Sequence, residues 1–265
     1  MTILFIMFQG SATPPTAWND GKSKFLNQLK KIGEVYTYQN KLYNTFHYLK
    51  NGPTPELFPN DIDFKLSYLD MKYHLDNVYQ NIKKKYKNYE WVPVGWSAGG
   101  YMALAFSKLY KKYCKYCILL DPAMITKDNI NLRLKRLKED KIVKGKVNLT
   151  NIKLKKLQDD IRDKKKTIDI KYLLIVGNYY YTDWIKKNFI SEKISIPTYS
   201  FIDLEYTDDE KSIDFNNKNK IREIAILSKK NPKKYTYHIF VNEGHQIFYN
   251  RKPTTEIINF IKNIK

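Results

Sequence analysis

A serine oxygen is a weak nucleophile until it is lifted clear of its surroundings and set beside a base. Ser97 stands where that can happen, in the run Gly95-Trp96-Ser97-Ala98-Gly99. An apolar stretch ending at Val94 reads as a strand, and Tyr101 to Phe106 read as a buried helix. A sharp strand-to-helix turn projects Oγ from its apex, while glycines two residues away on either side relieve the crowding. The helix that follows turns its free N–H groups and positive end toward any oxyanion formed at the serine. The bare five-residue pattern is weak, and a tight structural turn is the plain alternative. Its placement between strand and helix makes it informative. A base is available at His245, in a loop behind Gly244 and after the strand-like Tyr235 to Val241. His47, His74 and His238 have no comparable setting.

The elements that must position these two residues follow in regular alternation. Thr2 to Phe8 reads as a strand, and the loop Gln9 to Pro15 is rich in breakers. Phe25, Leu26, Leu29 and Ile32 mark a helix ending at Gly33, and Glu34 to Tyr38 reads as a second strand. Asn51 to Asn60, with three prolines, reads as a surface loop. Leu75, Val78, Tyr79, Ile82 and Tyr86 have the spacing of an amphipathic helix. The serine strand, its helix and the strand Tyr116 to Leu120 complete a β-α-β-α-β order, which implies a parallel sheet covered on both faces. Pro93 is discordant, since proline removes a ladder donor from a central strand. Lys127 to Lys166 differs in character, with Leu and Ile at helical spacing among many lysines, and reads as inserted helices. Tyr172 to Gly177 fits either a strand or part of a long helix through Trp184. Alternation resumes with a strand from Ser195 to Ile202, an acidic turn from Asp203 to Glu210, and a helix carrying Ile221, Ile224 and Leu227. The histidine strand and a closing helix marked by Ile257, Ile258 and Ile261 complete the chain.

At Gly95–Gly99 and at Glu243-Gly244-His245 the sequence resembles the α/β-hydrolase family, over residues 1 to about 122 and 195 to 265. The resemblance implies a single domain whose mostly parallel central sheet carries helices on both faces. Residues 123–194 would form a basic helical cap inserted between two core strands. It also implies that Ser97 attacks an acyl carbonyl while His245 removes and returns the proton. The orienting carboxylate should follow the strand before the histidine strand, where Asp208 is favoured over Asp209 and Asp203. Asp183 would serve if Tyr172 to Gly177 were a strand, and Asp121, in Leu119-Leu120-Asp121-Pro122, would serve as in relatives carrying the acid one strand earlier. The oxyanion donors implied are the backbone N–H groups of Ala98 and Ser11, with Gln9-Gly10 replacing the usual His-Gly. The expected function is ester or thioester hydrolysis through an acyl-serine, without a metal or organic cofactor. The rival is a silent hydrolase-like fold acting as a basic binding or scaffold module.

Composition narrows the partners. Apolar residues make up 43% of the 265, enough for a full core. Met1 to Phe8 lacks the basic flank and small-residue cleavage site of a signal peptide, so a soluble cytoplasmic protein is expected. The formal net charge is +20, yet only five of the 47 basic residues are arginines. Nucleic-acid readers lean on arginine forks, so a nucleic-acid partner is disfavoured. An abundance of Lys, Asn, Ile and Tyr fits A/T-rich codons. If the charge has a role, an anionic membrane surface meeting the basic cap is the partner it would suit. Cys114 and Cys117 have redox or half-zinc spacing but head a buried strand, and read as two ordinary thiols.

Overall fold

The computed structural model describes residues 2–10, 15–19, 21–37, 62, 66, 69–123, 126–139, 153–163, 165, 166, 168, 170–189, 192–205 and 215–264. The loop expected at Asn51 to Asn60 lies outside them. Six strands form one sheet: β1 (Ile3–Phe8), β2 (Glu34–Thr37), β3 (Glu90–Trp96), β4 (Cys117–Leu120), β5 (Thr198–Leu204) and β6 (Tyr235–Val241). Their spatial order is β2-β1-β3-β4-β5-β6, and every neighbouring pair is parallel. The helices are α1 (Phe25–Leu29), α2 (Met71–Lys83), α3 (Gly99–Leu109), α4 (Lys127–Glu139), α5 (Leu154–Arg162), α6 (Ile170–Phe189), α7 (Phe215–Lys230) and α8 (Arg251–Asn263). The alternative left open at Tyr172 to Gly177 resolves as helix, since these residues lie within α6.

The pleat explains the layers. Along β1, Leu4, Ile6 and Phe8 point to one face and pack with residues of α2 and α3, such as Leu75, Val78 and Phe106. Ile3, Phe5 and Met7 point to the other, with Phe25 and Leu29 of α1 and Ile257 and Ile261 of α8. A strand buried on both faces reads as one unbroken apolar run, as Ile3 to Phe8 does. Pro93 fits because β3 and β4 are out of step beside it. Trp91 bridges Cys114 and Val94 pairs with Ile118, so four steps on one strand face three on the other. The N–H groups of Trp91 and Ser97 both bond toward β4, and the missing donor of Pro93 falls in the irregular gap between them.

Between β4 and β5 the regular elements among the described residues are all helices. Ile130 and Leu134 of α4 and Ile185 of α6 join the main core, while Leu157 and Ile161 of α5 pack with Leu66, Leu69, Leu173 and Val176 in a cluster of their own. Two carboxylates from outside α4 cap its start: Glu223 accepts from the Thr126 N–H at 2.6 Å and Glu192 from the Lys127 N–H at 2.8 Å. Cys114 and Cys117 are free and buried. Burial pushes the Cys114 thiol up to about 12 and the Cys117 thiol well above its usual range, so neither supplies a thiolate near neutrality. Among the described residues no helix is long and apolar enough to cross a membrane.

Candidate active site

The turn after β3 has the strained geometry that an exposed nucleophile requires. Ser97 adopts φ 51°, a left-handed conformation uncommon for a residue with a Cβ. Its N–H bonds the Leu120 carbonyl at 3.2 Å, and its own carbonyl accepts from Gly100 at 3.0 Å and Ala123 at 2.9 Å. Three backbone bonds therefore over-determine the conformation, as stored strain demands. The flanking glycines are obligatory on steric grounds. A Cβ on Gly99 would lie 1.9 Å from the Phe8 carbonyl oxygen, and one on Gly95 would lie 2.4 Å from the Gly99 oxygen. The missing side chains let the end of β1 and the start of α3 press together, leaving Ser97 and Ala98 partly exposed at the apex.

His245 reaches the same edge of the sheet from the loop after β6. Its Nδ1 lies 2.5 Å from Oδ2 of Asp121, which is fully buried and directly follows β4. Leu120 is in register with Trp96, so the acid and the serine occupy adjacent strand ends. Asp121, too, has a positive φ, 37°, fixed by its N–H bonding the Phe201 carbonyl at 2.7 Å. Trp96 ties serine and histidine together: its Nε1 donates to the His245 carbonyl at 2.9 Å, and the two rings lie 5.5 Å apart. Phe248 packs edge-on against Trp96 and closely against Trp18, fixing the far end of the histidine loop.

The acid favoured from sequence, Asp208, lies outside the described residues, as do Asp209 and the expected oxyanion donor Ser11. Among the described residues, the carboxylate that meets His245 is Asp121. Nδ1 carries one hydrogen at most, so this contact uses the hydrogen-bonding capacity of that ring nitrogen. Asp183 sits on α6 and pairs with Lys187 at 2.7 Å. Asp203 is in β5, fully buried, and its carboxylate accepts from the backbone N–H groups of Glu243 at 2.9 Å and Gly244 at 3.0 Å. It thus holds the histidine loop rather than the imidazole. Sequence reasoning missed both this brace and Lys220 of α7, whose Nζ lies 2.9 and 3.1 Å from the two Asp121 oxygens and 2.7 Å from the Asp203 carbonyl. No sequence signal pointed to Lys220 among so many lysines.

Of the expected oxyanion donors, Ala98 lies at the start of α3, and its N–H has no acceptor among the described residues. Gly10 lies flat against Ser97, since a Cβ there would come within 3.1 Å of the Ser97 Cβ. Gly10 therefore lies beside the serine at the end of β1. His238 faces Glu256 at 3.2 Å on the exposed side of β6, and His74 is buried in α2.

A parallel six-stranded sheet of this order, with a left-handed serine at the turn between its third strand and the following helix, defines the α/β-hydrolase fold. Solved structures bear this out. The chain is similar to the peroxisomal alpha-beta-hydrolase Lpx1 of Saccharomyces cerevisiae at 14% identity and TM-score 0.54, over 99% of this chain and 77% of that one. A carboxylesterase structure from Nitrososphaera gargenis matches at 10% identity and TM-score 0.53, over 99% and 91% of the two chains. A hydrolase from Oleispira antarctica matches at 12% identity and TM-score 0.51, over 99% and 92%. No family model and no curated protein matches the sequence.

Proposed function

We propose that the chain is a serine hydrolase that cleaves an ester or thioester through an acyl-serine intermediate. The observation that carries this reading is the pairing of the left-handed Ser97 turn with the 2.5 Å His245–Asp121 contact on the same sheet edge. In the proposed reaction Ser97 Oγ attacks the carbonyl carbon while His245 Nε2 takes the hydroxyl proton. Asp121, bonded to Nδ1–H, keeps Nε2 free as the acceptor and stabilises the imidazolium that forms. The tetrahedral oxyanion would be held by the Ala98 N–H and by the N–H of Ser11. His245 then passes its proton to the leaving alkoxide or thiolate, and water, activated in the same way, releases the acid and restores Ser97. The helices between β4 and β5 would form the cap that determines which acyl chains enter.

Fluorophosphonate labelling tests the reading, because the probe requires an activated serine and ignores substrate identity. The wild-type chain should be labelled and should hydrolyse short p-nitrophenyl esters, and Ser97→Ala should do neither while keeping its far-UV spectrum. Equal labelling of the two would exclude Ser97. A wild-type chain that is neither labelled nor active would favour the silent scaffold.

A further inference from the structure

Asp121 is a fully buried carboxylate with two rotatable bonds, and orienting an imidazole demands that one of its oxygens face Nδ1 at a fixed angle. The surroundings assign the two oxygens different work. Oδ1 accepts from Lys220 Nζ at 2.9 Å and from the Asp203 N–H at 3.2 Å. Oδ2 lies 2.5 Å from His245 Nδ1, with Lys220 Nζ at 3.1 Å as a weaker second donor. Lys220 is pinned in turn by the Asp203 carbonyl at 2.7 Å, and its side chain is only 20% exposed. A buried charge requires a partner. Among these contacts the Lys220 ammonium, close to both Asp121 oxygens, is such a partner. His245 is half-exposed, so it is a less enclosed partner for the carboxylate than Lys220.

We infer that Lys220 is a positioning residue for the reaction proposed above: it acts through Asp121, locking the carboxylate so that Oδ2 is presented to His245. Three elements thereby converge on one side chain. α7 supplies the ammonium, the residue just after β4 the carboxylate, and β5 the backbone groups that fix both. The lysine does not touch substrate. Its contribution is to the orientation of the base, which is felt in turnover and little in substrate binding. The inference rests on the serine-hydrolase reading for its kinetic consequence, but its geometric content stands apart from that reading.

Two readouts on the full chain separate these contents. The first is the proton resonance of His245 Nδ1–H, assigned in histidine-labelled protein by its loss in His245→Gln. It should survive in Lys220→Arg and be lost or displaced in Lys220→Met. The second is the kinetics of ester hydrolysis. A misplacement of about 1 Å can cost about 100-fold in rate, so Lys220→Met should lose about that factor in kcat with KM changed less than about threefold. Lys220→Arg should recover most of it. Should Lys220→Met not fold, Lys220→Gln, which keeps a neutral donor, is judged by the same criteria. An unchanged resonance together with wild-type turnover in the neutral variant would overturn the inference. So would equal losses in the neutral variant and Lys220→Arg. A wild-type chain without esterase activity or probe labelling would instead count against the hydrolase reading, and the resonance would still decide the role of Lys220.

Discussion

At the scale of single residues, two buried aspartates share one sheet edge and do different work. Asp121 contacts the imidazole, whereas Asp203 holds the backbone of the loop that carries it. Replacing each by asparagine should therefore give different failures. Asp121→Asn keeps the shape but presents an amide to Nδ1, which favours the wrong tautomer. Turnover should fall by several powers of ten with little change in melting temperature. Asp203→Asn keeps one acceptor oxygen for two backbone donors, so it should cost roughly 1–3 kcal/mol of stability. Steady-state kinetics and thermal melts on both variants check this, and a larger kinetic loss in Asp203→Asn would reverse the assignment. The comparison also shows why the His245–Asp121 contact was hard to read in the sequence. Ser97 and His245 announce themselves through immediate neighbours, a turn and a glycine. Asp121 lies 124 positions from His245, and only the ends of three parallel strands bring them together. Asp203 and Asp121 both close apolar strands, and side-chain direction at those ends, which sequence does not carry, separates their roles.

At the scale of elements, the site depends on how closely β1 and α3 approach. Gly99 is the contact point, where even a methyl group would enter the Phe8 carbonyl. Gly99→Ala must push the helix start away from the strand or open the turn. We expect roughly 1–3 kcal/mol of destabilisation, as for overpacked cores, together with loss of probe labelling because Ser97 and the Ala98 N–H move as one. Unaltered labelling of a fully folded Gly99→Ala variant would contradict that coupling. Element identity was largely legible, because strands buried on both faces give apolar runs and the helices give periodic ones. Tyr172 to Gly177 was the exception. Its residues are apolar and β-compatible over six positions, and its helical state comes from being one part of the twenty-residue α6.

At the scale of the molecule, the net charge of +20 must sit outside this frame, and α5 shows how. Its Leu157 and Ile161 are already covered by Leu66, Leu69, Leu173 and Val176, while Lys155 and Lys156 face solvent. An amphipathic helix whose apolar side is spent on the protein has only charge left for a surface. Any association with anionic vesicles should then be purely electrostatic. It should be present at 0.1 M salt, where the screening length is about 10 Å, and gone at 1 M, where it is about 3 Å. Co-sedimentation across that range checks this, and binding that persists at 1 M salt would mean an apolar insertion that α5 does not provide.

The strand order has a consequence for a chain still being made. Ser97 and Asp121 follow strands side by side near the middle of the sheet, but His245 follows β6, the outermost of the described strands on its side. A nascent polypeptide can therefore shape its serine turn more than a hundred residues before the base emerges from the ribosome. On the proposed mechanism Ser97 gains its proton acceptor only when β6 docks, so the growing chain would be chemically silent toward the esters around it until then.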